Sequence, residues 1–372
     1  MLDSDLKKER MRRARWISPW KDSLEKPSIY HCISRVVERR FAFGVEEKEK
    51  FRMFMRMYEN FSGCRVLSYC LMSNHIHLLV EVPPKPEEGI TDDVFLKRLS
   101  ALYSEAFVAD VAAQIHEARH EGGLEGGNPE RVEEIKGRFT HRMHDLSQFM
   151  KGLMQRFTQW FNGQHKRTGR LWEDRFKSVI VESGTAARVM AAYIDLNPVR
   201  AGMVEDPAEY RWSSYGEAVG GGPRGNGKKA REGLVRAMMS ERDVGFDATM
   251  WKQASRQYRR LMGMALERKP SNAKIQRSTA IEESKEGRMS THDCPHDESR
   301  LPELGMAKIL RTRVRYFTDG AVIGSKSFVN EAFDAARERF SENRKDGARK
   351  MRGIGKGASG TLWSVRDLRV RV

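Results

Sequence analysis

The sequence predicts an α+β protein, an antiparallel sheet with helices packed on one face. Three observations predict it. Short runs rich in β-branched and apolar residues recur at residues 29–37, 65–71 and 175–182. Residues 73–82, Ser-Asn-His-Ile-His-Leu-Leu-Val-Glu-Val, read as a further strand whose side chains alternate in character. Between these runs, residues 46–61 and 146–162 carry apolar side chains at helical spacing.

The elements follow in order. The first strand, 29–37, ends in positive charge at Arg35, Arg39 and Arg40. The helix over 46–61 places Phe51, Phe54, Met55 and Tyr58 at helical spacing, a core stripe. The turn Met72-Ser73-Asn74 joins 65–71 to the next strand as an antiparallel hairpin. In that strand Ile76, Leu78, Val80 and Val82 share one face, and His75, His77, Leu79 and Glu81 share the other. Pro83, Pro84 and Pro86 stop it.

Residues from about 87 to 145 differ in composition and read as an insertion. A helix is expected over 96–115, then a loop at Gly122, Gly123, Gly126 and Gly127. His116, His120, His141 and His144 read as surface histidines. The helix over 146–162 aligns Phe149, Leu153, Phe157 and Trp160 on one face. A basic loop, 164–170, leads to the strand at 175–182. Ser183 is placed to cap a helix over 185–196, which Pro198 ends. The order strand, helix, strand, strand, insertion, helix, strand matches a split βαβ, ferredoxin-like layout. Its uncovered face would carry the two histidines.

Those histidines can grip one divalent metal ion, because neutral imidazole is a common metal ligand. Two imidazoles need a third ligand. Tyr193 and Asn197 stand four apart on one helix face. If that helix crosses the uncovered face, Tyr193 approaches the metal and Asn197 offers its amide oxygen. A tyrosine hydroxyl is a usable nucleophile for a phosphodiester, and the metal would polarise the scissile phosphate.

The 372 residues carry a formal net charge of +16, which favours nucleic acid as partner. The four cysteines, Cys32, Cys64, Cys70 and Cys294, form no Cys-x-x-Cys pair, so neither a zinc ribbon nor a disulfide framework is indicated. The charged N-terminus lacks a following apolar region and no run reaches membrane-span length, so a cytoplasmic, nucleoid-associated location is expected.

Five motifs bring these residues together in one order. They are Tyr30-His31-Cys32-Ile33-Ser34-Arg35, Leu71-Met72-Ser73-Asn74-His75-Ile76-His77-Leu78 and Leu171-Trp172-Glu173-Asp174-Arg175-Phe176-Lys177-Ser178. Then come Tyr193-Ile194-Asp195-Leu196-Asn197-Pro198-Val199-Arg200-Ala201-Gly202 and Tyr210-Arg211-Trp212-Ser213-Ser214-Tyr215. The set resembles the REP-associated tyrosine transposases, within the single-tyrosine HUH transposases of insertion sequences, over about residues 27–216.

The resemblance implies a ferredoxin-like HUH nuclease domain with His75 and His77 as metal ligands and Asn197 as the extra polar ligand. It implies Tyr193 as the nucleophile that forms a 5′-phosphotyrosine link and frees a 3′-hydroxyl. Mg²⁺ or Mn²⁺ would be the cofactor, and single-stranded DNA beside a small hairpin the substrate, bound by a monomer or a homodimer. Arg35, Arg170, Arg175, Lys177 and Arg200 are placed to bind the DNA backbone. Trp172 is either a stacking platform for an unpaired base or a packing residue between helix and strand.

Outside 27–216, residues 1–26 read as a basic tail and 217–230 as a glycine-rich linker. Residues 231–372 read as an extension that could bind DNA, helical over 234–266 with Trp251, Tyr258 and Leu261 as anchors, strand-like over 311–322 and 362–370, and with a polar, disordered stretch at about 269–298 that holds His292, Cys294 and His296. Lys326, at a turn feeding a helix, suits phosphate binding. The alternatives are a non-catalytic hairpin-binding protein derived from a transposase, and a replication or conjugation nickase. The latter commonly adds a helicase or primase region, and the sequence has no Gly-x-x-x-x-Gly-Lys-Ser/Thr loop.

Overall fold

The computed structural model describes residues 15–121, 127–220, 227–239, 248–266, 310, 315–340, 342–351 and 362–366. The first half runs β1 (Ser28–Arg35), α1 (Val45–Ser62), β2 (Arg65–Leu71), β3 (His75–Val82), α2 (Asp92–Leu99), α3 (Glu105–His120), α4 (Pro129–Thr140), α5 (Leu146–Gln164) and β4 (Lys177–Val181). There follow α6 (Thr185–Asp195), α7 (Asn197–Arg200), α8 (Ser214–Gly220), α9 (Lys228–Met239), α10 (Ala248–Leu266), α11 (Arg315–Asp319), β5 (Gly320–Gly324), α12 (Lys326–Asp334), β6 (Arg349–Lys350) and β7 (Trp363–Arg366).

The sheet order is β2-β3-β1-β4-β5-β7-β6. Its first four strands pair antiparallel, β1 lying between β3 and β4. With α1 and α5 they form the ferredoxin-like core that the element order predicts. Alternation along β3 divides the molecule. Ile76, Leu78, Val80 and Val82 meet α1 and α5 in one core, where Phe43, Phe51, Phe157, Phe161 and Trp172 pack edge to face. Leu79 belongs to the core on the opposite face.

That opposite face, expected to be free, is covered. The apolar faces of α6, α9 and α10 pack there, with Tyr193, Leu234, Tyr258 and Leu261 in one core with Leu79 and Val179. Helix α9 comes close enough that a Cβ on Gly233 would stand 2.4 Å from the Val66 carbonyl oxygen, so only glycine fits. Helices α6, α9 and α10 thus bury the histidine side of the sheet.

Residues beyond 310 extend the sheet itself. Strand β5 pairs parallel with β4, Ile180 opposite Val322 and Val181 opposite Ile323, and β7 and β6 continue antiparallel. The insertion forms its own small core, with Phe95, Leu99, Ile115, Ile135 and Phe139 closing against Phe61 of α1.

Local differences from the sequence reading have physical causes. Ser183 is not the cap of α6: Gly184 holds that position at φ 79°, a left-handed backbone that favours glycine. Helix α6 ends at Asp195 with Leu196 as its cap, close to the expected 185–196, and Pro198 sits in the first turn of the short α7 that follows, where its missing N–H costs nothing. The helix expected over 96–115 is two, broken where the Ser104 side chain accepts from Phe107 N and starts α3. Residues 269–298, with His292, Cys294 and His296, lie outside the described residues.

Candidate active site

The site is built on the face that β1 and β3 share. Directly opposed residues in an antiparallel pair point to the same side, and Arg35 opposes His75, Ile33 opposes His77 and His31 opposes Leu79. His31 is therefore a diagonal neighbour of His77, within reach of a long side chain. Its Nε2 lies 2.9 Å from His77 Nδ1, and the two rings lie side by side and nearly coplanar, with centroids 5.1 Å apart. His75 and His77 meet edge to face at 5.0 Å.

Helix α6 crosses this face and brings Tyr193 to it. The Tyr193 ring lies edge-on to His77 at 5.8 Å and to His31 at 5.9 Å. The structure thus gathers His75, His77 and Tyr193, three of the residues singled out from sequence. It adds His31, which stands in the first motif without an assigned role. The signal for it was the period-2 face of β1, readable only once the pairing register is known.

Asn197 is held differently. Its Nδ2 donates to the Tyr193 and Ile194 carbonyls at 3.1 and 3.2 Å, pinning the end of α6. It makes no hydrogen bond to either histidine. Arg200 donates to the Tyr193 carbonyl at 3.0 Å and lies over the Tyr193 ring at 5.1 Å. Asp195, fully buried, accepts from Tyr258 Oη at 2.6 Å and from Tyr215 N at 3.0 Å, and burial pushes its carboxyl up to about 6.

The imidazoles are held neutral. Burial lowers His31 to about 4. It does the same for His75, with a smaller push from the Arg35 charge. Burial again comes first for His77, which lies well below the usual histidine range, followed by the neighbouring His31, His75 and Arg35. Neutral imidazole is the metal-binding form.

The C-terminal extension closes the site. The Phe317 ring, fully buried, stacks on Tyr193 at 4.6 Å and 26°. The Phe317 carbonyl lies 2.9 Å from His31 Nδ1, and the Leu310 carbonyl accepts from Arg200 at 3.2 Å. Tyr193 is 3% exposed in consequence. The helix expected to take a phosphate at Lys326 already has an anion at its start. Glu182 accepts from Ser325 N at 2.5 Å and from Ser325 Oγ at 2.9 Å, and Lys326 rests over Trp363.

A groove of about 680 Å³ opens beside the end of the sheet that holds Arg35, on the α5 side. Arg15, Lys151, Arg170, Arg175 and Lys177 line it, against Glu173 and Asp174, with Phe176 and Trp172 among the apolar walls. The Arg35 carbonyl accepts from Glu173 N at 2.8 Å, which fixes the groove loop to the strand end. Trp172 is 9% exposed and donates to Thr158 Oγ1 at 3.0 Å, so its role in the structure is packing between α5 and the sheet. Among the described residues, no three His, Cys, Asp or Glu side chains are grouped to hold a metal ion, and no helix is long and apolar enough to cross a membrane.

Residues 26–91 match the family described as "Transposase IS200 like". No curated protein matches the chain. One solved structure, described as that "of the REP associates tyrosine transposase bound to a REP hairpin", is similar over 57% of this chain and 86% of that one, at 14% identity and a TM-score of 0.29. The matched residues hold β1, α1, the hairpin and the histidine pair, so the part of the chain similar to the IS200-like family is the part that builds the histidine face, in line with the resemblance of the motifs.

Proposed function

We propose that this chain is a metal-dependent transposase that cleaves and rejoins single-stranded DNA beside a hairpin, with Tyr193 as nucleophile. The observation that carries the reading is the Tyr193 ring set 5.8 Å from His77 on a face built by the transposase-like segment. In the cleavage step Tyr193 Oη bonds to the scissile phosphorus and the phosphorus–O3′ bond breaks. The phenolic proton leaves to water, and the departing 3′-oxygen takes up a proton. The product is a 5′-phosphotyrosine link and a free 3′-hydroxyl. Reversal by an incoming 3′-hydroxyl rejoins strands without an external energy source.

The donor set fits a metal. The Nε2 atoms of His75 and His77 make no hydrogen bond among the described residues, while both Nδ1 atoms are occupied. Two imidazole nitrogens suit Mn²⁺ better than Mg²⁺, which prefers oxygen ligands. Bound there, the metal supplies Lewis-acid polarisation of a phosphate oxygen. Asn197 Oδ1 or a phosphate oxygen of the substrate would be the further ligand. Arg35, opposite His75, and the basic groove hold the DNA backbone.

One observation favours the alternative of a non-catalytic hairpin binder, namely the burial of Tyr193 beneath Phe317. A denaturing gel separates the readings. The full chain is mixed with labelled single-stranded hairpin DNA from beside its own gene, in Mn²⁺ or EDTA. The transposase reading expects a covalent band that needs both Mn²⁺ and Tyr193 and vanishes in Tyr193→Phe, which still binds the hairpin in a native gel. Tight binding with no covalent band, for this DNA and for a randomised hairpin pool, would leave the binding module as the function.

A further inference from the structure

We infer that His31 is a positioning residue for the metal-binding face of His77, and that the C-terminal extension sets it through the backbone carbonyl of Phe317. The metal in this inference rests on the transposase reading above.

The assignment follows from donors and acceptors. A carbonyl oxygen only accepts, so His31 Nδ1, 2.9 Å from the Phe317 oxygen, carries a hydrogen. In a neutral ring the other nitrogen is then bare, and His31 Nε2 accepts. His77 Nδ1, 2.9 Å away, must donate to it. That leaves His77 Nε2 with a free lone pair on a ring that lies edge to face with both Tyr193 and His75, the tautomer a metal requires. The two rings are nearly coplanar, 16° apart, so the hydrogen bond lies in the ring planes and fixes the orientation as well as the tautomer.

His75 reaches the same state by a separate route. Asn74 Nδ2 donates to the Arg39 carbonyl at 3.1 Å, which turns Asn74 Oδ1 toward His75 Nδ1 at 2.7 Å. His75 Nδ1 therefore carries the hydrogen and its Nε2 is bare. The two chains differ in where they begin. Asn74 is held by the loop after β1, local to the hairpin. His31 is held by a carbonyl 286 residues further along the chain, carried into place when β5 joins β4. Partners of this kind commonly contribute a 10–100-fold factor to metal affinity, because they fix the ring and raise its basicity.

The test has two readouts that do not depend on DNA cleavage. In the metal-free full chain labelled with ¹⁵N-histidine, long-range ¹H–¹⁵N spectra are expected to show His77 protonated at Nδ1 and bare at Nε2. A His77 protonated at Nε2 would overturn the inference without any variant. Mn²⁺ titration by electron paramagnetic resonance is expected to show about 10–100-fold weaker binding in His31→Phe. His31→Gln places an acceptor where the ring Nε2 stood and is expected to recover most of it. His31→Asn, too short to reach His77, is expected to match His31→Phe. Affinity unchanged in His31→Phe would also overturn the inference. If these results hold and no DNA adduct forms, the transposase reading fails and the positioning role stands.

Discussion

The aromatic ring of Phe317 lies on that of Tyr193 at 4.6 Å, nearly parallel, and both are buried. A tyrosine that attacks a phosphodiester must meet DNA, so this stack has to open for the proposed chemistry. Phe317→Ala removes the ring but keeps the backbone carbonyl that binds His31. It is expected to raise the rate of covalent adduct formation several-fold. Its stability cost is expected to approach the ~3–5 kcal/mol of a large-to-small core change. An adduct rate that stays at the wild-type level in a folded Phe317→Ala protein would show that the stack is no barrier.

Glu182 decides how firmly that cover is held. Its carboxylate accepts from both the N–H and the hydroxyl of Ser325, at the start of α12, while Glu182 N donates to the Ile323 carbonyl. Hydrogen bonds to a charged group contribute about 1.5–3 kcal/mol. Glu182→Ala is expected to speed amide exchange at Val322 and Ile323 at least tenfold, with α1 and α5 unaffected. Equal protection in both proteins would show that strand pairing alone holds the extension.

Much of this architecture is legible in the sequence, and the remainder is illegible for definable reasons. The ferredoxin-like core shows because its strands alternate cleanly and its two helices carry strong apolar stripes. The same alternation places His75 and His77 on one face. What covers that face shows as helical residues within 234–266 anchored by Tyr258 and Leu261, but not as a cover, because an apolar helix stripe does not name the surface it packs on. Strand character shows near β5 and β7, at 311–322 and 362–370, but strands of five, two and four residues are too short for bounds or partners to be read. Strand β5 also pairs with a strand about 140 residues earlier in the sequence, which no local pattern reports. His31 is hidden for a related reason, since its diagonal contact with His77 exists only in the correct register. Trp172 could be read two ways because an indole suits both a core and a base; the packing of Phe43, Phe51 and Phe157 around it shows the first, while its remaining edge lines the groove.

The groove makes a quantitative electrostatic prediction. Each phosphate contact contributes about 0.7–0.9 to the slope of log affinity against log salt. Arg175→Gln and Lys177→Gln, both on the groove wall, are each expected to lower the magnitude of that slope for hairpin binding by about 1. Arg138→Gln, on α4 of the insertion and paired with Glu134, is expected to leave it unchanged. Fluorescence anisotropy across a salt series measures all three. Identical slopes for the groove variants and wild type would place the DNA elsewhere.

Asp195 supplies the last prediction, one of stability and pH. Its carboxylate joins three elements, accepting from Tyr258 Oη of α10 and Tyr215 N of α8 while lying at the end of α6. Burial raises its folded pKa to about 6, above the model-peptide value of 3.8. The folded state therefore binds the proton more tightly than the unfolded chain. The stability this gives is fully present below pH 3.8 and is lost as pH rises through 6. Asp195→Asn cannot ionise and is free of that loss. Between pH 4 and 7 the unfolding free energy of wild type is expected to fall relative to Asp195→Asn by on the order of 2–3 kcal/mol, levelling off above pH 7. Urea unfolding of both proteins across that range measures it, since every other titrating group is common to both and cancels in the difference. Two parallel profiles would mean that Tyr258 and Tyr215 hold the carboxylate ionised as easily in the folded chain as water does in the unfolded one.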